Sequence, residues 1–231
     1  MSKNPTVPIK VTASLADGRI NSADGIIMLD SIIYHAWFCK HAPHVLEGMG
    51  NAEYSGYIGL PLRQLPGNRW AASRGIYTEE SKSVEHINKR PNFFNADKMQ
   101  HLNMEKGLIS DSVGLYRAYR SPQVIRTIKE GKIKFWAMGD PEKVYELLQV
   151  MQAVGKKTSI GFGSVRNWEV EEVKEDYSLW HPEHGLMRPI EVESEEAKKF
   201  NLTGYPVIRY GIKPPYWKPK NERICYVPIT R

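Results

Sequence analysis

Apolar and polar residues alternate through Ile9-Lys10-Val11-Thr12-Ala13-Ser14-Leu15, the period of a half-buried strand. A turn rich in Gly, Asn and Asp follows over 17–25. From Ile26 to Phe38 the pattern changes. Leu29, Ile32, Ile33, Ala36 and Trp37 recur at helical spacing, which predicts a helix with one buried face. It should fade at Ala42-Pro43, because proline cannot continue the hydrogen-bond ladder. Trp70 to Tyr77 reads as a strand. The stretch 79–111 is polar and irregular, with Pro91 and Gly107, and is expected to be an inserted lobe.

The segment 132–173 is the most legible. Ile133-Lys134-Phe135-Trp136-Ala137-Met138 is β-prone and nearly all apolar after Lys134, so it predicts a buried strand. Asp140 suits an N-cap and Pro141 the first helical position. Val144, Leu147, Leu148, Met151 and Val154 mark one helix face, with Gly155 as a left-handed cap. A loop of glycines follows, and alternation resumes from Val165 to Val170. Strand, helix, glycine loop and strand, joined to the N-terminal strand and helix, predict an α+β fold with a ferredoxin-like βαββαβ core. The core should span 1–175, with 79–111 inserted. The proline-rich, aromatic tail 176–231 should pack along the sheet as an extension.

Composition narrows the class. The 231 residues are 41% hydrophobic and 25% charged, enough for a core without staples. No apolar run approaches a membrane span, and Met1 to Val11 lacks a signal-peptide core. Cys39 and Cys225 make no disulfide framework, so a cytoplasmic setting is expected. Net charge is +6, and it is unevenly placed. Residues 63–134 carry 14 Lys/Arg against 7 Asp/Glu, whereas 166–231 balance at 11 each. A basic middle suits a polyanion such as nucleic acid as well as it suits a solvated surface.

The candidate chemistry sits in Gly155-Lys156-Lys157-Thr158-Ser159-Ile160-Gly161-Phe162-Gly163. It is not a P-loop, because Lys157 stands where Ser or Thr is needed and the loop follows a helix. Arg166 replaces the third glycine of a dinucleotide fingerprint. What is left is Gly161 and Gly163 for close backbone approach, Lys156 and Lys157 for charge, and Thr158 and Ser159 as short hydroxyls. That set suits an RNA backbone gripped without base readout. The alternative is structural, since lysines beyond a helix end also complement its dipole. Tyr116-Arg117-Ala118-Tyr119-Arg120 interleaves rings and guanidinium groups, as single-strand binding requires, or forms an ordinary strand. Arg74, Lys82, Lys89 and Arg90 extend the same candidate RNA track, although each alone also suits a solvated surface, and Arg166 follows the glycine loop, where it can close over a phosphate or stay solvated.

The loop resembles the glycine-rich loop of the RAMP superfamily of CRISPR-associated proteins. Ile9 to Leu15 leading into Ile27-Met28-Leu29-Asp30-Ser31-Ile32-Ile33 is similar to the first strand and helix of its backbone subunits. Arg209-Tyr210, Pro214-Pro215-Tyr216-Trp217 and Cys225-Tyr226-Val227-Pro228 resemble the type IV subunit that caps the crRNA 5′ handle. The resemblance implies a ferredoxin-like core with an inserted thumb and membership of an RNA-guided complex. It implies crRNA, the backbone, large-subunit-like and repeat-processing subunits, and the target DNA duplex as partners. It requires no metal or small-molecule cofactor.

Two other readings stand beside it. A metal-independent repeat-RNA endonuclease would use His35, Tyr34 and the lysine pair, although no spacing fixes a base. An unrelated basic ferredoxin-like interaction module would bind protein. His35, Cys39, His41 and His44 lack a second pair that would complete a zinc site, and His181 and His184 read as surface residues.

Overall fold

The structure, a computed structural model, describes residues 6–47, 58–89 and 119–230. In chain order the strands and helices are β1 (Val7–Leu15), β2 (Arg19–Asn21), α1 (Leu29–His41), α2 (Pro43–Glu47), β3 (Gln64–Leu65), β4 (Arg69–Trp70), β5 (Glu79–Lys89), β6 (Tyr119–Ile128), β7 (Lys132–Gly139), α3 (Pro141–Leu148), β8 (Val165–Glu172), β9 (Trp180–His181), β10 (Gly185–Leu186), β11 (Ile190–Glu191), β12 (Val207–Gly211) and β13 (Glu222–Tyr226). It is a mixed chain of antiparallel sheets and few helices.

The central sheet has the order β7-β1-β8, all antiparallel. Alternation in the sequence becomes two faces. Val11 lies opposite Phe135, and Ala13 opposite Ile133 and Trp168. This face buries Ile9, Val11, Ile133 and Phe135 against Leu29 and Ile33 of α1 and Val144 and Leu148 of α3. Each such aliphatic side chain stabilises by roughly 1.5–3 kcal/mol. The other face carries Lys10, Thr12, Lys132, Lys134 and Trp136.

The 70–77 stretch, expected as a strand, runs along the free edge of β7 through bridges at Ala72 and Ile76. It is not a regular strand because the Ser73 hydroxyl takes a ladder place, accepting from the Trp136 N–H at 2.8 Å. Gly75 makes the close pass possible, since a Cβ there would lie 2.6 Å from Ile133.

Three expectations need correcting. First, 79–89 is not irregular. It is β5, an 11-residue strand paired with β6 over its full length. Its residues are mostly polar because β5 itself buries neither face, so no period marked it. The rest of the expected lobe lies outside the described residues. Second, β2 hides in the 17–25 turn and pairs with β6 at 125–127. Third, α3 ends at Leu148, not at Val154. Met151 and Val154 keep helical spacing but pack from the following loop. Gly155 is left-handed, at φ +87°, yet it caps no helix.

Asp140 caps α3 as expected, accepting from the Lys143 N–H at 3.2 Å. Asp140→Ala should cost about 1 kcal/mol and Asp140→Asn much less, read from urea midpoints.

The tail adds its own three-stranded sheet, β11-β13-β12, with Leu186, Ile190 and Leu202 buried beneath it. Arg188 pins it to the core. This side chain is fully buried and donates to the carbonyls of Trp70, Ala72 and Ile212 and to Asp30 of α1. The Tyr216 hydroxyl donates to Asp30 at 2.9 Å. Burial raises the Asp30 carboxyl above its ordinary value, against the pull of Arg188 and Tyr216.

Candidate nucleic-acid interface

The 155–163 segment is a turn on a neck. At the neck the Lys156 N–H donates to the Asn21 carbonyl at 2.9 Å, the Gly163 N–H to Arg19 at 2.8 Å and the Val154 N–H to Gly163 at 2.9 Å. Above it Thr158–Ile160 form a single 3-10 turn between left-handed Lys157 and Gly161. Residues 155–161 are all exposed, while Phe162 and Gly163 are buried. Arg19 stacks its guanidinium over the Phe162 ring at 5.6 Å, which anchors the neck to β2.

The turn therefore presents Lys156, Lys157, Thr158 and Ser159 to solvent. Neither lysine pairs with a carboxylate among the described residues. Two glycines divide the labour differently from expectation. Gly161 is open on all sides, with nothing within 4 Å of an added Cβ, and its N–H closes the turn onto Thr158. Gly163 is part of the neck. Its N–H is spent on Arg19, and a Cβ would lie 1.9 Å from the Val154 carbonyl oxygen. It shapes the turn.

Arg166 is exposed and donates to the Ala16 carbonyl at 3.3 Å, at the same end of the sheet. Tyr119 and Arg120 are exposed at the outer end of the β5–β6 hairpin. They stand some five residues beyond Ile125, which faces Asn21, or about 17 Å along the strand. The structure does not bring them to the turn. Tyr116 and Arg117 lie outside the described residues. Arg74 lines a cleft described below and is also a tether. It is buried and directs its guanidinium to the carbonyls of Leu186 and Ile229, so its charge faces the tail first.

Other clusters resolve into packing. His184 is exposed and His181 half-buried; their rings stack at 4.5 Å, and His181 sits 5.1 Å from Trp136. Burial, then the neighbouring His184, holds His181 below its usual pKa; burial, then Arg74 and Lys134, offset by Glu183, lowers His184. With Glu183 they place three donor atoms within 4.8 Å. The rings meet nearly parallel at 27°, and the Glu183 N–H donates to His181 Nδ1 at 3.1 Å, which occupies one of the ring nitrogens. Tyr77, whose hydroxyl donates to Gly25 at 2.8 Å, is pushed up to about 12 by burial.

Sequence reasoning missed a cleft of ≈ 660 Å³ at the base of the hairpin. Its lysines come from β5, β7 and the turn between β6 and β7, and its rings from the tail. Of its lining, Arg74 and Lys82 belong to the basic track read from the sequence, and the Lys132-Ile133-Lys134 alternation is a further local signal, because it puts both lysines on the face away from the helices.

A basic α+β chain with an exposed cationic turn beside a projecting hairpin has the outline of a nucleic-acid-associated protein. A family model matches residues 7–228, and its family is the CRISPR type IV associated protein Csf3. The chain belongs to that family. Among solved structures it is similar to a Csm3–Csm4 subcomplex of the type III-A CRISPR-Cas interference complex, at 9% identity over 96% of this chain and 90% of that one, TM-score 0.41. It is also similar to the Type III-B Cmr-beta bound to cognate target RNA, at 12% identity over 73% of this chain and 61% of that one, TM-score 0.34. A search of curated proteins gives no match. The family match carries the assignment. No helix among the described residues is long and apolar enough to cross a membrane.

Proposed function

We propose that this protein is a non-catalytic RNA-binding subunit of a CRISPR effector complex, gripping the crRNA 5′ handle and capping one end of the assembly. Family membership supports the setting. The observation that carries the RNA contact is the 156–161 turn: two ammonium groups with no carboxylate partner among the described residues and two hydroxyls, all exposed, on a neck fixed by three backbone hydrogen bonds. The order 165–172, 7–15, 132–139, 70–77, with helices on one face, supports a ferredoxin-like core. Residues 1–175 form that core in this reading, and 176–231 pack on it. The other effector subunits are the protein partners, and the target DNA duplex is a further one.

The test is a salt titration of RNA binding. Lys156→Ala/Lys157→Ala should lower the log–log salt slope by about 1.4, or about 25-fold in affinity at 0.1 M salt, whatever the RNA sequence. Unchanged affinity in the folded variant would remove the turn from the interface. Incubated with its repeat RNA in EDTA, the protein should leave the RNA intact. A defined cut that His35→Ala abolishes would replace binding with the endonuclease reading.

A further inference from the structure

The turn and the cleft lie at the same end of the central sheet. The register puts Val165 opposite Leu15, Lys132 opposite Ser14, and Ile76 beside Lys134. The turn enters β8 at one edge of that end, and the cleft opens at the other edge. Three strand spacings separate the edges, about 14 Å.

The cleft is built for an anion with a flat part. Lys82, Lys129, Lys132 and Lys134 line it, all exposed and none paired with a carboxylate among the described residues. Glu79 also lines it but is held by Arg126, which leaves Glu130 and Glu183 as the opposing charges. The far wall is aromatic. Trp180 stacks one indole face on Phe200 at 5.2 Å and 8°, and tilts against Tyr205 at 6.2 Å. Both Trp180 and Tyr205 line the cleft and stay half-exposed. The Tyr205 hydroxyl accepts from the Leu186 N–H at 3.0 Å, so the wall is rigid. At ≈ 660 Å³ the space suits one or two nucleotides and is too small for a duplex. Rings at its side can stack only on bases that are unpaired.

We propose that this cleft is a second nucleic-acid site, seating one or two unpaired nucleotides with phosphates on the four lysines and a base against Trp180 and Tyr205. A single RNA strand held at the 156–161 turn then crosses the end of the sheet and finishes in the cleft. The inference rests on the RNA reading above and adds a contact to it.

The experiment uses the full chain and a labelled single-stranded RNA of about 12 nucleotides, with adenosine monophosphate as a parallel probe. Lys132→Ala/Lys134→Ala changes two exposed side chains and should leave the urea midpoint unmoved. It should weaken RNA binding about 25-fold at 0.1 M salt and lower the salt slope by about 1.4. RNA carrying 4-thiouridine should photocrosslink to peptides containing Trp180 or Tyr205 in the wild-type protein. If the variant binds like wild type and crosslinks fall only on the 156–161 peptide, the cleft is overturned while the RNA reading stands. If the mononucleotide binds as tightly as the strand and only the cleft variant loses it, the crossing strand is overturned. If wild-type protein binds no RNA, both ideas fall together.

Discussion

Arg188→Met should destabilise the protein by about 3–5 kcal/mol. The guanidinium is fully buried, and its donors meet three carbonyls and the Asp30 carboxylate. Methionine fills much of the space but donates to none of them; the Trp70 carbonyl keeps the Ala72 N–H and Asp30 keeps the Tyr216 hydroxyl, while an acceptor left unpaired in the interior costs about 1–3 kcal/mol. The carboxylate is the worst case, being a charge without its counter-ion. Removing both partners as Arg188→Met/Asp30→Leu should therefore cost less than the two single changes added together. Urea unfolding with an unchanged m-value reads the effect. A shift below about 1 kcal/mol for the single change would show that Arg188 is a passenger and not a pin.

The second large effect separates two glycines two residues apart. Gly163→Ala puts a Cβ 1.9 Å from the Val154 carbonyl oxygen, in a residue at φ +70°. Left-handed strain of about 1–2 kcal/mol adds to an overpacking cost of about 1–3 kcal/mol, so a loss of about 2–5 kcal/mol is expected. Gly161→Ala meets nothing within 4 Å and keeps only the backbone cost of φ +100°, about 1–2 kcal/mol. Thermal or urea unfolding of the pair distinguishes them. Equal losses would mean that the neck gives way easily, and the turn would lose its claim to be preorganised.

The parts of the fold legible in the sequence are those that face a core. β1 and β7 announce themselves because one side of each is buried on the helices. The start of α3 is legible because Asp140 and Pro141 have capping chemistry that acts locally. The end of α3 is not, because Met151 and Val154 are apolar for the sake of loop packing and happen to keep helical spacing. β5 is invisible for the opposite reason: a strand projecting from the body buries neither face, so Lys82, Glu85 and His86 look like loop. At the site, the exposed turn could be found from lysines beside glycines. Arg74 could not be told from a surface arginine, because its carbonyl partners at Leu186 and Ile229 lie more than a hundred residues on. The cleft is the least legible part, since Trp180 and Tyr205 meet Lys132 and Lys134 only after the tail has folded back.

The Arg188 contact also constrains the order in which the chain can mature on the ribosome. In a nascent polypeptide that has emerged only as far as residue 175, the Trp70 and Ala72 carbonyls and Asp30 lack the guanidinium that meets them in the full fold. Synthesis of the closing quarter is what completes these contacts of the opening third, so a prematurely terminated translation product lacks more than its missing residues.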